Sequence, residues 1–219
     1  MTKKIIFLGG KGDPLTIASA NSEANASGAD EWMVAGFLND RLKPGSRVGP
    51  YEVLGGLEQV GQFLDEGYYF INGIYRIDGN RERIQLFEDL AIPDSRLVNF
   101  IHPTAYVAPG VEFGPGCIVM PNVCISQSVR FGKCCTMLQG ATVGHDNEIG
   151  DFVHISAQAC LGAFLEIHPG VHVGMNSTVR ENVSMGAFSA LGMASALLTD
   201  IGPDEIWVGN PARFLRSVR

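Results

Sequence analysis

The residues of this sequence best suited to chemistry are a histidine and an aspartate side by side, His145 and Asp146. Histidine titrates nearest neutrality, so it can act as a general base where a nucleophile must lose a proton. A neighbouring carboxylate can raise the basicity of the imidazole by hydrogen bonding or by charge. The alternative is that the pair is a solvated turn. The element that holds the pair decides between these interpretations.

That element shows itself as a repeat of six residues through the second half of the chain. Every sixth position from Ile101 to Leu197 is large and apolar. The residue four places after each of these positions is small or β-branched, except at Asn147 and Leu165. A helix would repeat every three and four residues and an ordinary strand would alternate, so this period matches neither element.

A triangular coil with sides of six residues explains the period. Three sides make one turn of 18 residues, and the apolar positions then stack inward as ladders between coils about 4.8 Å apart. A glycine follows many of these apolar residues, as at Gly144 and Gly162, and suits tight corners between sides. His145 takes an outward position in the repeat that carries the polar Asn147. Residues that break a local sequence pattern are often found at functional sites, so we expect a functional site at this repeat.

The first 97 residues lack the repeat and alternate short apolar strands with helix-length polar stretches. The strands predicted there are KKIIFLGG, WMVAGFL and YYFINGI, and RERIQLFEDLA is a predicted amphipathic helix. This alternation predicts a small parallel sheet of the Rossmann type. The chain is therefore predicted to divide into an α/β subdomain over 1–97 and a parallel β-helix with a C-terminal tail over 98–219.

Two turns of the α/β subdomain could bind a nucleotide. Lys11, Gly12 and Asp13 follow the first strand, where backbone N–H groups and a helix N-terminus can face a phosphate. Because GGKG is not the full GxGxxG fingerprint, a tight strand-to-helix turn is an equal alternative. Asn39 and Asp40 end the second strand, at the sheet edge where polar groups often contact nucleotides. A simple turn is the alternative there.

The composition excludes several classes of protein. The formal net charge is -7, which argues against a general nucleic-acid binder. None of the five cysteines forms a CxxC pair, so the sequence predicts neither a zinc knuckle nor a disulfide framework. The apolar run near the N-terminus is too short for a signal peptide or a membrane span. We expect a cytoplasmic protein with no metal and with no nucleic-acid or membrane partner.

Four stretches together resemble one known family. They are GFLND at 36–40, IHPTAYVAPG at 101–110, GHDNEIGDFVHIS at 144–156 and VGNPAR at 208–213. They resemble the hexapeptide-repeat sugar acyltransferases of the sialic acid O-acetyltransferase family, which include N-acetyltransferases of nucleotide-linked 4-amino-4,6-dideoxy sugars. The resemblance covers nearly the whole chain. It implies a left-handed β-helix, acetyl-CoA as donor, a nucleotide sugar held by the N-terminal domain, and a homotrimer with active sites between subunits.

The resemblance also implies roles for particular residues. The catalytic base falls on His145 and its acidic neighbour on Asp146. Because adjacent strand residues face opposite ways, Asp146 acts either on His145 or across the trimer interface. The acetyl-CoA contacts that the resemblance implies are His154, Met175 and Met193. The substrate contacts that it implies are Lys11, Gly12, Asp13, Asn39, Asp40 and Gly73.

The chain departs from the family pattern in its first subdomain. Family members usually carry a histidine where Asp13 stands, and two acids where this chain has Asn39 and Asp40. Tyr75 stands where a glycine is expected after the third strand, with Gly73 two residues away. These departures lie among the predicted nucleotide contacts.

The interpretation that fits best is an acetyl-CoA-dependent N-acetyltransferase acting on the amino group of a nucleotide-linked 4-amino-4,6-dideoxy sugar in bacterial surface glycan biosynthesis. One alternative is a sugar O-acetyltransferase acting on a sialic acid or a related hydroxyl. The other is a non-catalytic β-helical binding protein. The nucleotide-type first domain favours the amine acceptor. His168 and His172 are expected on the surface. A metal site of three histidines that includes them is a further alternative, which their spacing does not favour.

Overall fold

The computed structural model describes residues 3–26, 28 and 32–218 of the chain. The elements before residue 100 are β1 (Lys3–Leu8), α1 (Asp13–Ala26), β2 (Trp32–Leu38), β3 (Arg47–Val48), β4 (Tyr51–Gly55), a 3₁₀ turn (Leu57–Gln59), α2 (Val60–Asp65), β5 (Tyr69–Asn72), α3 (Asn80–Glu88) and a second 3₁₀ turn (Asp94–Arg96). The three predicted strands and the predicted helix of this region are confirmed. No helix in the described part of the chain is long and apolar enough to cross a membrane.

The first strands form one sheet in the order β3-β4-β2-β1-β5. β1 runs parallel to β2 and β5, as the alternation predicted, and β2 also runs parallel to β4, a strand that was not predicted. β3 pairs antiparallel with β4, a hairpin that was not predicted. β1 is an interior strand and is covered on both faces, so its apolar residues follow one another without alternation. Ile5 and Phe7 pack with Ile17 of α1, while Ile6 and Leu8 pack with Phe87 of α3.

Residues beyond 100 fold into a triangular prism of short parallel strands. The strands are β6 (Phe100–Ile101), β7 (Tyr106–Val107), β8 (Glu112–Phe113), β9 (Ile118–Val119), β10 (Cys124–Ile125), β11 (Arg130–Phe131), β12 (Thr136–Met137), β13 (Thr142–Val143), β14 (Glu148–Ile149), β15 (His154–Ile155), β16 (Cys160–Leu161), β17 (Glu166–Ile167), β18 (His172–Val173), β19 (Thr178–Val179), β20 (Ser184–Met185), β21 (Ala190–Leu191), β22 (Ala196–Leu197), β23 (Glu205–Val208) and β24 (Arg213–Ser217). The predicted parallel β-helix is therefore present.

The prism has three faces, each a separate sheet. The first face contains β7, β10, β13, β16, β19 and β22, and the second contains β8, β11, β14, β17 and β20. The third face contains β6, β9, β12, β15, β18 and β21, and ends in the antiparallel hairpin of β23 and β24. From β6 to β22 along the chain, paired strand residues are 18 positions apart, as Thr136 and His154 are, and His154 and His172. One coil therefore takes 18 residues, as the repeat predicted.

The apolar position of each repeat is the second residue of its strand and points into the prism. On the third face Met137, Ile155, Val173 and Leu191 are fully buried one above another. Burying each such side chain contributes about 1.5–3 kcal/mol to folding. Ile101 remains 41% exposed, because no further coil lies beneath the first one. The ladder is therefore complete in the middle of the prism, where the candidate site residues lie.

The glycines of the repeat have a different role from the predicted one. The left-handed corner residues lie two places after these glycines and are often not glycine, as at Asp146 and Phe164. At Gly144 an added Cβ would lie 2.5 Å from the carbonyl oxygen of Gly162 in the next coil. These glycines are needed because neighbouring coils approach closely, and not because the corner requires a positive φ.

The polar Asn147 also has a structural explanation. Its side-chain amide donates hydrogen bonds to the carbonyl oxygens of Gly144 and Gly162, both at 2.9 Å. Its carbonyl oxygen accepts the backbone N–H of Leu165 at 2.7 Å. Asn147 is fully buried, and these bonds satisfy its polar atoms. The break in the apolar pattern at this repeat is therefore a coil-to-coil staple.

The sheet subdomain packs on the corner between the second and third faces. The ring of Phe87 in α3 packs edge-on against the ring of Phe152, with the two ring centroids 5.7 Å apart. The amide of Asn80 donates to the carbonyl of Gly170 at 3.1 Å, and Arg216 of β24 makes two hydrogen bonds with Asp78. These contacts span several coils, so the subdomain has one defined position against the prism.

Candidate active site

A cavity of about 540 Å³ opens at the carboxyl edge of the sheet. It is lined by the turn after β1, the turn after β2 and the segment after β5. All six residues predicted to bind substrate line it, namely Lys11, Gly12, Asp13, Asn39, Asp40 and Gly73. Because the carboxyl ends of parallel strands meet at one edge, residues far apart in sequence converge there.

The turn after β1 is shaped by close backbone contacts. Gly9 has a φ of +125°, and an added Cβ would lie 2.9 Å from the carbonyl oxygen of Gly73. A Cβ at Gly10 would lie 2.8 Å from the side-chain nitrogen of Asn39. Small residues are therefore required here, and they leave the floor of the cavity to backbone atoms. α1 begins directly afterwards at Asp13, so its N-terminus also faces the cavity.

The two polar residues after β2 build the cavity wall. The amide of Asn39 donates to the carbonyl of Gly9 at 2.9 Å, and its oxygen accepts the backbone N–H of Arg41 at 2.9 Å. Asp40 accepts the backbone N–H of Leu57 at 2.7 Å through one carboxylate oxygen. Asn39 therefore holds the two turns together, while Asp40 fixes the following 3₁₀ turn.

Four cationic side chains line the same cavity, at Lys11, Arg41, Arg76 and Arg83. Within the described residues none of the four forms an ion pair. They outnumber the two carboxylates of the lining, and together with the helix N-terminus they favour an anionic ligand. Sequence reasoning found Lys11 only. Arg41 lies on the loop after β2, Arg76 follows β5, and Arg83 lies on α3. These three arginines converge on the cavity only through tertiary packing.

A cluster of aromatic rings joins the cavity to the third face of the prism. Tyr75 lines the cavity, and its ring stacks on that of His154 with centroids 4.2 Å apart and planes at 11°. The Tyr75 hydroxyl is hydrogen-bonded to Nδ1 of His172 on the next coil. Nε2 of His154 lies 3.4 Å from a carboxylate oxygen of Asp13, within ion-pair distance but not aligned as a hydrogen bond. We call Asp13, Tyr75, His154 and His172 the ring cluster.

Three members of the ring cluster, Asp13, Tyr75 and His172, have shifted pKa values. Its contact with His154 lowers the pKa of the Asp13 carboxyl, although burial acts in the opposite direction, so Asp13 is ionised. Burial, assisted by the charge of Asp13, raises the pKa of the Tyr75 phenol far above its usual value. Burial and the nearby His154 lower the pKa of His172 to about 3. Tyr75 and His172 are therefore both neutral, and one hydrogen bond joins the phenol oxygen to Nδ1 of the imidazole.

The position of His172 corrects the expectation that it lies on the surface. It is half-buried beside Tyr75. His154, which was predicted to contact the cofactor, is 6% exposed and lies beneath the Tyr75 ring. Tyr75 was noted in the sequence only as a departure from a glycine, and no spacing connects it with residues 79 and 97 positions away. His168 is half-exposed beside Glu166 on the second face, as expected.

His145 and Asp146 lie on the corner between the first and second faces. Nδ1 of His145 is 2.7 Å from a carboxylate oxygen of Asp146, and the two side chains are 47% and 43% exposed. Asp146 has a φ of +54°, a conformation that aspartate tolerates better than most residues. The prediction that the two side chains face opposite ways is wrong, because they stand on a corner instead of a strand. The His145 ring also meets Phe164 of the next coil edge-on at 5.2 Å.

The predicted cofactor residues Met175 and Met193 stand on a third corner, between the third and first faces. They are 54% and 76% exposed and lie one above the other. The structure therefore places the predicted site residues in three separate regions of one chain. These are the cavity with the ring cluster, the His145–Asp146 corner and the methionine column. His145 does not line the cavity.

Comparison with solved structures shows what shares this fold. No protein-family model matches the sequence. A mutant of perosamine N-acetyltransferase from Caulobacter crescentus, in complex with CoA and GDP-perosamine, matches with a TM-score of 0.85 and 23% identity over 99% of both chains. The acetyltransferase domain of PglB from Neisseria gonorrhoeae matches with a TM-score of 0.83 and 26% identity, over 97% of this chain and 100% of that one. The fold is that of the hexapeptide-repeat sugar acetyltransferases.

A further solved structure, WeeI from Acinetobacter baumannii, matches this acetyltransferase fold with a TM-score of 0.79 and 20% identity, over 98% of this chain and 100% of that one. The similarity includes the sheet subdomain as well as the prism, since nearly the whole of each chain is covered. The resemblance to hexapeptide-repeat sugar acyltransferases, predicted from four short stretches, is therefore confirmed.

Proposed function

We propose that this chain is an acetyl-CoA-dependent N-acetyltransferase that acylates the amino group of a nucleotide-linked 4-amino-4,6-dideoxy sugar. The observation that carries the proposal is the cavity, which combines a glycine turn, a helix N-terminus and four cations with direct contact to the prism. Solved structures of the same fold contain acetyl-CoA in one case, and CoA with GDP-perosamine in another. In this proposal a Rossmann-like subdomain over 1–97 binds the nucleotide, and a left-handed β-helix over 98–219 binds the donor.

The cavity favours one orientation of the nucleotide sugar. Its cations and glycine turn suit the diphosphate. Asp13 and Tyr75 lie at the end of the cavity that touches the third face, so the sugar belongs there, and the base belongs near Asp40. An ionised Asp13 beside the sugar favours an amine, which carries positive charge when protonated, over a neutral hydroxyl. This charge is our reason for preferring the amine acceptor.

A homotrimer would complete the site. The His145–Asp146 corner and the cavity lie on different edges of one prism, so a ligand bound in the cavity does not meet the base of its own chain. In a threefold arrangement, the base of one protomer meets the cavity and methionine column of its neighbour. We therefore propose that His145 of one protomer acts on the sugar held by the next, with Met175, Met193 and His154 along the donor path.

The geometry of the pair supports base catalysis by His145. A carboxylate oxygen of Asp146 accepts a hydrogen bond from the N–H at Nδ1 of His145, at 2.7 Å. Nε2 of His145 is then left as the free basic nitrogen. Nε2 takes a proton from the amine as the amine attacks the thioester carbonyl of acetyl-CoA. The tetrahedral intermediate then collapses, the C–S bond breaks, and the imidazolium returns the proton to the CoA thiolate. The products are the N-acetylated sugar nucleotide and CoA.

Replacement of His145 tests this proposal. His145→Asn should lower kcat by about 10²–10⁴-fold, the usual contribution of a general base. His168→Asn is a matched control, because His168 is similarly exposed at 43% and also lies beside a carboxylate. The rate of CoA release is measured with acetyl-CoA and the UDP-, GDP- and dTDP-linked 4-amino-4,6-dideoxy sugars.

The outcomes separate the candidate functions. Undiminished turnover by His145→Asn would remove His145 from the chemistry. Turnover of a sialic acid hydroxyl by the wild type, with none of any amino sugar, would replace the amine acceptor by a hydroxyl. A wild type that turns over neither acceptor would favour a binding protein.

A further inference from the structure

We propose that Tyr75 determines which acceptor sugar is used, by forming the cavity wall against which the sugar ring packs. The inference rests on the proposed function and deepens it, because it concerns the same cavity and names the sugar class that the cavity selects. It starts from the position of the residue. Tyr75 follows β5 by three residues, lines the cavity, and contacts two coils of the prism.

The ring of Tyr75 is held from two sides. It lies flat on His154 at 4.2 Å, and its hydroxyl is tied to His172. A further contact with the His172 ring, at 5.8 Å between centroids and 26° between planes, fixes its tilt. A side chain fixed in this way loses little additional freedom when a ligand packs on it, so more of the contact energy appears as affinity.

The chemistry of the wall fits one class of sugar. One face of a pyranose ring presents C–H groups, and a 6-deoxy sugar adds a methyl group where other hexoses carry a hydroxymethyl. An aromatic ring packs favourably against such apolar surface, whereas it offers no partner to a hydroxymethyl oxygen. Asp13, next to the ring and 51% exposed, supplies a carboxylate for the polar groups of the same sugar. We therefore infer selection for a 6-deoxy amino sugar.

The wall also limits space. Beneath the Tyr75 ring lies His154, which is only 6% exposed. Removing the ring would open the cavity down to the His154 imidazole and extend it towards the third face. Truncation should therefore both weaken the binding of the preferred sugar and relax the limit on the substituent at C6.

The experiment compares Tyr75→Ala, Tyr75→Phe and the wild type. Isothermal titration is carried out with UDP, GDP and dTDP alone, and with the 4-amino-4,6-dideoxy sugar linked to each. Steady-state kinetics then compare that sugar with its counterpart bearing a 6-hydroxymethyl group. Tyr106→Ala is the matched control for loss of a tyrosine ring, because Tyr106 is 60% exposed on the first coil, away from the cavity.

The expected result is specific to the sugar. Tyr75→Ala should bind the nucleoside diphosphates as the wild type does, but bind the nucleotide sugar about tenfold more weakly. The ratio of kcat/KM for the 6-deoxy sugar over the 6-hydroxymethyl sugar should also fall by about tenfold. Tyr75→Phe, which keeps the ring, should retain most of this ratio, and Tyr106→Ala should retain all of it.

Several results would overturn the proposal. Equal weakening of diphosphate and nucleotide sugar in Tyr75→Ala would mean that the residue only supports the fold of the cavity. If the ratio of kcat/KM between the two sugars is unchanged in Tyr75→Ala, Tyr75 does not select the sugar. If this ratio falls in Tyr75→Phe, the hydroxyl selects the sugar and the ring does not. A wild type that neither binds nor acetylates any of the nucleotide sugars would refute the proposed function itself, and this result is visible before any variant is made.

Discussion

Within one chain, His145 stands on a different edge of the prism from the cavity, and this separation predicts how mixed oligomers behave. His145→Asn removes the base but leaves the cavity intact. The double variant Lys11→Glu, Arg76→Glu reverses two charges in the cavity but leaves the base intact. Lys11 and Arg76 are both exposed, so neither change disturbs the core. Each parent should have below about 1% of wild-type activity, the first for want of a base and the second because it repels a diphosphate.

The activity of a mixture follows from how a site is assembled. If each site combines His145 of one protomer with the cavity of its neighbour, every trimer that contains both variants has both halves intact in one of its three sites. Mixed trimers should therefore recover about one third of the wild-type kcat with an unchanged KM. If each site used residues of a single chain, no site in the mixture would be intact, and activity would stay at the level of the parents.

The assay uses co-expression of the two variants with different affinity tags and purification through both tags. CoA release is followed with acetyl-CoA and the nucleotide sugar that the wild type accepts. A mixture of the double variant with His168→Asn serves as the control, since half of its cavities and all of its His145 bases are intact, so it should be active however the site is assembled. A dual-tagged preparation that stays as inactive as its parents, while this control is active, would refute the shared site.

Three other predictions follow from contacts already described. Asp146→Asn should lower kcat by about 10- to 100-fold with KM unchanged, because Nδ1 of His145 loses the carboxylate that orients it; steady-state kinetics decide this, and an unchanged kcat would contradict it. Asn147→Ala should lower the free energy of unfolding by about 2–4 kcal/mol in urea denaturation, because it leaves the Leu165 N–H unpaired in the prism; a loss below about 1 kcal/mol would show that the staple is dispensable. His172 has a folded pKa of about 3 against an ordinary 6.5, so the unfolded chain binds a proton that the folded chain excludes, and its contribution to stability is lost as pH falls below 6.5. From pH 7 to pH 5 the wild type should lose about 2 kcal/mol that His172→Gln does not lose, and equal losses in both proteins would contradict this cause.

The prism could be predicted from sequence because every coil repeats the same spacing of apolar residues. An apolar side chain at every sixth position from Ile101 to Leu197 has a single geometric solution, and the eighteen-residue register follows from it. The strands of the first subdomain were predictable for a similar reason, since a buried parallel strand needs an unbroken apolar run. The β3–β4 hairpin carries no such run and was missed.

The cavity was predicted in outline and missed in detail. Lys11 and Asp40 follow strands, and the carboxyl ends of parallel strands must meet. Arg83 and Tyr75 reach the same cavity from α3 and from a loop, and their placement depends on how the subdomain packs against the prism. The repeat does not encode that packing, which rests on contacts such as Phe87 with Phe152. Residues at the junction between the subdomain and the prism cannot be predicted from the sequence pattern of either part.

Two local signals were given the wrong cause. Asn147 interrupts the apolar ladder, and this interruption predicts a functional site, whereas the residue joins two coils through its hydrogen bonds. The glycines of the repeat were assigned to corners, whereas coil-to-coil distance requires them. Both errors have one origin, because a repeat shows that a position is constrained without showing by which neighbour. The pair His145 and Asp146 stands beside Asn147, and its catalytic role stays a prediction that the polar character of Asn147 does not support.

The eighteen-residue turn makes the prism behave like a screw thread, on which position along the chain sets direction in space. Deleting a single side between Phe152 and Gly170 would rotate every later residue by one face and pull Gly170 away from Asn80. The bond between Asp78 and Arg216 would be lost in the same movement. Loss or gain of a whole thread of 18 residues leaves each later residue on its own face but shifts it along the prism axis. Such a change is compatible with the subdomain only outside the coils that the subdomain contacts. Engineering of chain length in this molecule should therefore add or remove complete threads, at positions outside those coils.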